Sequence, residues 1–272
     1  MLTIYAPSDR PQSKCWEVFN GIQKTWPDTP VQIKDNDKPY YRENSDTMFW
    51  GLVNNNTNII RDVEYFGFNY WFTDTPYFGR FDNNDLKADN HYWIICKNNI
   101  HASYIPGLDN ARLKPFDITV KDKKDKGDYI LICPSSAGIH RFIGQTGWLT
   151  DTITKIKKLT DRPIVVREKP RGRGTSGPSE AKVPLTEQLK NAWCCVTSCS
   201  ISAVESLCEG VPVICHPNSF AQPICDTQLD AINNPKYVEP TDWLNSLSYQ
   251  QFTPAEFANG TAVGILKDLG LL

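Results

Sequence analysis

Trp193-Cys-Cys-Val-Thr-Ser-Cys-Ser-Ile-Ser-Ala-Val-Glu-Ser-Leu-Cys-Glu-Gly-Val-Pro-Val-Ile-Cys-His-Pro217 decides how the chain folds. Trp193 to Val196 and Val211 to Cys215 are apolar runs of strand length. Between them stand the hydroxyl side chains Thr197, Ser198, Ser200 and Ser202, then a helical pattern that brings Ala203, Val204 and Leu207 to one side. Gly210 falls where a helix end wants a left-handed residue, and Pro212 follows closely. The stretch therefore reads as a β–loop–α–β unit, which in an open parallel sheet is a right-handed crossover. Its loop brings small residues, backbone amides and the positive end of a helix to the carboxyl edge of a strand. That edge is where α/β proteins hold phosphate.

Outward from this unit, Tyr129–Cys133 reads as a buried parallel strand and Ile164–Val166 as another, with helices over Asp151–Leu159 and Leu185–Asn191. The turn Pro134-Ser135-Ser136-Ala137-Gly138 suits a phosphate or sugar contact, without a Gly-x-Gly-x-x-Gly fingerprint. Arg167-Glu-Lys169-Pro-Arg171-Gly-Arg173 leaves the strand at 164–166 with four cations. Blandly read, it is a solvated basic loop. Functionally read, Arg167 and Lys169 face bound phosphates while Arg171 and Arg173 meet a second, polyanionic ligand.

In the first half, strands are expected at Leu2–Tyr5, Val31–Ile33, Met48–Leu52 and His91–Cys96. Helices are expected from about Ser13, with Trp16, Phe19 and Ile22 on one face, and over Ile59–Phe66. Asp117–Val120 is strand-like, and the charge run Lys121–Asp128 reads as a hinge between domains. Tyr70-Trp71-Phe72-Thr73-Asp74-Thr75-Pro76-Tyr77-Phe78-Gly79-Arg80 packs five aromatics around one carboxylate. One reading is a strand ending in a proline turn, with Asp74 satisfying backbone amides. The other makes Asp74 a general base whose aromatic walls strengthen it by desolvation, with Trp71, Tyr77 and Arg80 contacting an acceptor. Asp9, Asp46 and His101 are the alternates for that base.

Composition narrows the class. The 272 residues fit one large or two small domains, and a net charge of −2 gives no global basic field for nucleic acid. No apolar run approaches the ~20 residues that cross a bilayer. The start Met-Leu-Thr-Ile-Tyr-Ala lacks a signal peptide's basic front, so the expected address is cytoplasmic. Nine cysteines scattered through apolar runs suit reduced, buried thiols. No Cys-x-x-Cys pair occurs and the four histidines are spread out, so no structural metal site is expected; a requirement for a divalent metal is not expected either.

Ser200-Ile201-Ser202, with Glu205 and Gly-Val-Pro-Val at 210–213, resembles the donor-binding segment of GT-B glycosyltransferases and sugar-nucleotide epimerases. The resemblance implies that a loop of Thr197, Ser200, Ile201 and Ser202, helped by Ser135 and Ser136, takes the diphosphate, and that Glu205 takes the ribose hydroxyls. Ile201-Ser202 stands where two glycines are common in that superfamily, so the backbone is approached less closely. The whole chain, including Gln251-Phe-Thr-Pro-Ala-Glu-Phe257, also resembles small glycosyltransferase-like proteins of tailed bacteriophages, which have an acidic residue in the aromatic segment that holds Asp74.

The expectation is an α/β chain of two Rossmann-like domains facing a cleft: residues 1–122 on the acceptor side, 123–252 binding the donor, and 253–272 packing back on the first domain. The expected activity moves a sugar from a nucleoside-diphosphate sugar, a UDP-sugar by preference, to a hydroxyl. A hydroxymethylated base in double-stranded DNA is the first acceptor, and a cell-surface glycan or small molecule the second. A monomer is expected. A domain that binds nucleotide or DNA without chemistry is the reading from another class.

Overall fold

The computed structural model describes residues 1–6, 15–27, 30–35, 44–53, 55–79, 91–167 and 183–272. In chain order the first elements are β1 (Leu2–Ala6), α1 (Cys15–Thr25), β2 (Val31–Asp35), β3 (Asp46–Trp50), α2 (Asn56–Tyr65), β4 (Tyr70–Asp74) and β5 (Trp93–Lys97). Next come β6 (Tyr129–Cys133), α3 (Ala137–Phe142), α4 (Trp148–Leu159), β7 (Ile164–Val166), α5 (Leu185–Leu189), β8 (Ala192–Thr197), α6 (Ser202–Cys208) and β9 (Val213–Cys215). The chain ends with α7 (Thr241–Ser248), β10 (Gln251–Phe252), α8 (Pro254–Ala258) and α9 (Thr261–Asp268). Two compact units contain them: Met1–Ser103 with Ser246–Leu272, and Tyr104–Asn245.

The first unit is built on a sheet in the order β10-β5-β4-β3-β1-β2. β2, β1, β3 and β4 run parallel, while β5 and β10 are antiparallel additions at one edge. β1 is buried along its whole length, as a central parallel strand requires. Its Leu2, Ile4 and Ala6 share a core with Val18, Phe19 and Ile22 of α1 and with Phe257, Ala262 and Leu266 of the closing helices. Gly21 lets α1 meet α8 closely, because a Cβ there would stand 2.9 Å from the Ala258 backbone nitrogen. Thr25 Oγ1 ties the same contact, donating to Phe257 O at 2.9 Å. Thr253 and Glu256 form a reciprocal capping box with Pro254 in the first turn, which starts α8 where the sequence asks for it.

The second unit carries a wholly parallel sheet, β7-β6-β8-β9. Ile130, Ile132, Cys194, Val196 and Ile214 from its strands pack with Trp148 and Ile156 of α4. β6 is followed outward by β7, then the chain returns to lay β8 on the other side of β6. The order thus reverses between β6 and β8, and ligands of open α/β sheets bind outside the carboxyl ends of strands at such a point.

Two expectations change here. Asp117–Val120 forms no strand. The run Lys121–Asp128 is not the divide, since the compact units part at Ser103/Tyr104 and Asn245/Ser246. Its backbone is knit to the second unit: Lys121 N donates to Cys208 O at 2.8 Å, Lys124 N to Gly210 O at 2.9 Å and Asp128 N to Asn191 O at 2.8 Å. Alternating charge describes its exposed side chains and is blind to amides that pair with the end of α6 and with the turns before β8 and β9.

Candidate active site

At the switch point of the second unit the hydroxyls brace two loops against each other. Thr197 Oγ1 donates to Cys133 O at 2.7 Å and accepts from Ser200 N at 3.3 Å. Ser198 Oγ accepts from Ser135 N at 3.1 Å, and Ser135 Oγ accepts from Cys199 N at 2.9 Å. Ser200 Oγ accepts from Ser202 N at 3.3 Å. Ser136 is exposed and caps α3 through Ile139 N. Most of these side chains therefore shape backbone and do not present themselves. Ser200 and Ile201 stay half-buried at the head of α6, and Glu205 is exposed one turn further on.

Arg167 reaches this edge from the end of β7. Its guanidinium donates to Val183 O and Gln188 Oε1, each at 2.6 Å. It lies close enough to act on the buried Cys133 thiol, which the Cys195 thiol, the Ser202 hydroxyl and Arg167 together draw below the usual thiol range against the effect of burial. Arg167, Ser202 and Glu205 all act on the Cys133 thiol at the end of β6. Lys169, Arg171 and Arg173 lie outside the described residues.

Two histidines that no sequence motif marked stand at the same edge. His140, buried on α3, meets Ser198 Oγ through Nε2 at 2.9 Å and leans on the Trp148 ring at 5.5 Å. His216 follows β9, with Nδ1 accepting from Asn218 N at 3.1 Å. Burial lowers the pKa of both, and His216 adds to the effect on His140. A cavity of about 530 Å³ opens at the carboxyl ends of β8 and β9. Trp148, Thr197, Ile214, His216, Gln228 and Asp230 are among the residues that line it. No spacing motif links residues 140, 198 and 216. The one sequence signal is that Ser198 and His216 directly follow the strands β8 and β9, with His140 seven residues past β6.

In the first unit, Asp74 ends β4 half-buried, and its Oδ1 accepts from Thr75 N at 2.7 Å. Of the acceptor residues read beside it, Trp71 is only 5% exposed and stands in the core with the edge of Trp26 against it at 5.0 Å. Tyr77 is equally buried, its hydroxyl accepting from Ala102 N at 2.8 Å, and burial pushes its pKa well up. Both rings hold the strand and its turn, and as described neither offers a face to an acceptor. Arg80 and Asp9 lie outside the described residues. Asp46 begins β3, at the strand end opposite to Trp50, and accepts from Asn69 N at 2.9 Å. Among the described residues no group of three or more His, Cys, Asp or Glu side chains is arranged to hold a metal ion. No helix among them is long and apolar enough to cross a membrane.

The chain is similar to the solved structure of Thermosulfurimonas dismutans KpsC, beta Kdo 2,4 transferase, over 97% of each chain, with a TM-score of 0.52 at 11% identity. The fold is GT-B-like. Similarity is lower to the beta Kdo 2,7 transferase of the same KpsC, with a TM-score of 0.48 at 12% identity over 99% of each chain. For Methanocaldococcus jannaschii UDP-GlcNAc 2-epimerase in complex with UDP-GlcNAc and UDP, the TM-score is 0.31 at 12% identity over 99% of each chain. No protein-family model matches the sequence, and no curated protein matches it.

Proposed function

We propose that this protein is a glycosyltransferase that moves a sugar from a nucleoside-diphosphate donor, a UDP-sugar by preference, to a hydroxyl acceptor. The switch point of the second unit carries the reading. There the loops after β6 and β8 are cross-braced by Ser135, Thr197 and Ser198, and Arg167, Ser202 and Glu205 all act on Cys133 at the end of β6. That arrangement supports a diphosphate at 197–202, with Ser136 and Ile201 at the rim and Glu205 toward the ribose hydroxyls. Positive charge from Arg167, with Lys169 beyond it in the chain, offsets charge on the leaving diphosphate.

In the displacement, the acceptor oxygen bonds to the anomeric carbon, the bond from that carbon to the donor phosphate oxygen breaks, and the hydroxyl proton passes to Asp74. The sequence resemblance and the basic run 167–173 favour a hydroxymethylated base in double-stranded DNA as acceptor. A sugar hydroxyl on a cell-surface glycan is the second reading, favoured by the similarity to a Kdo transferase.

Asp74→Asn keeps the shape of the side chain and removes its basicity. Turnover of donor and acceptor should fall roughly 10²–10⁴-fold, with donor affinity and the unfolding midpoint unchanged. A folded variant with normal turnover would remove Asp74 from the reaction. A lower midpoint with turnover intact would return it to the turn it braces through Thr75.

A further inference from the structure

His216 is pinned to the loop assigned above to the diphosphate. Its backbone N–H is shared between Thr197 O at 3.2 Å and Ser198 O at 3.1 Å. On the ring, Nδ1 accepts the Asn218 N–H at 3.1 Å. A ring nitrogen that accepts carries no proton, so this imidazole is neutral and its one proton sits on Nε2. Among the described residues no hydrogen-bond partner meets Nε2, and the residue lines the cavity at the ends of β8 and β9 together with Thr197 and Trp148.

The charged and titratable groups around it come from every neighbouring element. α3 brings His140, already engaged with Ser198, and α4 brings Asp151, Lys155 and Lys158. The segment beyond brings Asp230, and Cys215 with its hydrogen-bonded neighbour Cys225 lies at the end of β9. Two carboxylates and two ammonium groups on the cavity wall leave it without a dominant charge. A polar ligand is then oriented there by hydrogen bonds.

We propose that His216, as a neutral imidazole, donates its Nε2–H to an oxygen of the donor diphosphate. The proposal rests on the reading of the second unit as the donor site and adds a residue to it. Neutrality has a consequence for turnover. The ring contributes a hydrogen bond to an anion without an ion pair, and becoming charged would break the Asn218 contact that holds it in place.

The test is a long-range proton–nitrogen NMR correlation on the full chain labelled at its four histidines, near neutral pH, with His216→Gln supplying the assignment. UDP and inorganic pyrophosphate are titrated separately. The free protein should show His216 as the Nε2–H tautomer, and UDP should shift that resonance while the ring stays neutral. His216→Gln keeps a side-chain N–H and should bind UDP within about threefold of wild type, whereas His216→Ala should lose roughly ten- to a hundredfold. Three results would overturn the proposal: UDP binding with a silent His216, conversion of the ring to imidazolium, or an Ala variant that binds as wild type does. If pyrophosphate shifts His216 and no nucleoside diphosphate binds more tightly than pyrophosphate, the donor reading fails while the His216 assignment stands. The wild-type shift needs no variant, so a poorly folding His216→Ala does not blunt the test.

Discussion

His101 shows what a buried ring costs a fold. It is 7% exposed in the first unit, and burial pushes its pKa down from 6.5 to about 4. The folded chain therefore takes up that proton later than the unfolded chain as pH falls. Above pH 6.5 neither state holds it, and between 6.5 and about 4 only the unfolded state does, so stability drops across that window. The linkage amounts to roughly 3 kcal/mol. His101→Leu should flatten the slope of unfolding free energy between those limits in denaturant titrations at stepped pH, and an unchanged slope would show that the acid sensitivity lies elsewhere. The same burial bears on chemistry: neutral and enclosed, His101 is poorly exposed for duty as the base that activates an acceptor.

Among the elements, β8, α6 and β9 depend on a glycine. Gly210 has φ +74°, and a Cβ there would stand 2.0 Å from Asp122 O. Both facts act on one residue: the left-handed turn that ends α6 and the passage of the 121–128 run beneath it. Gly210→Ala should cost roughly 2–4 kcal/mol, read as a lower unfolding midpoint; a loss below about 1 kcal/mol would mean the run can lift away. The sequence made Gly210, Pro212 and the flanking strands readable because propensity and local pattern fix them. It also marked β6, β7, α4 and the Thr253–Glu256 cap, each a run whose periodicity or capping chemistry is local. Two things were illegible for a physical reason. The pairing of Lys121 and Lys124 amides with Cys208 and Gly210 joins segments more than 80 residues apart through backbone atoms that carry no residue identity. His140, Ser198 and His216 meet because three loops end at neighbouring strands, and sheet order is what sets that meeting.

For the molecule as a whole, two α/β units share one chain and the fold is GT-B-like. The loops after β6 and β8 are braced by hydroxyls and the end of β8 borders a cavity, while the aromatic residues expected around Asp74 are core. The proposed function requires the 197–205 segment to bind a nucleoside-diphosphate sugar. Isothermal titration of the full chain with a panel of such sugars, beside the same titration of Glu205→Ala, tests it most directly. At least one donor should bind, removing the exposed carboxylate should weaken it by roughly 1.5–3 kcal/mol, and pyrophosphate binding should not change. A wild-type chain that binds none of the panel, or a Glu205→Ala chain that binds its donor as tightly as wild type, would contradict it.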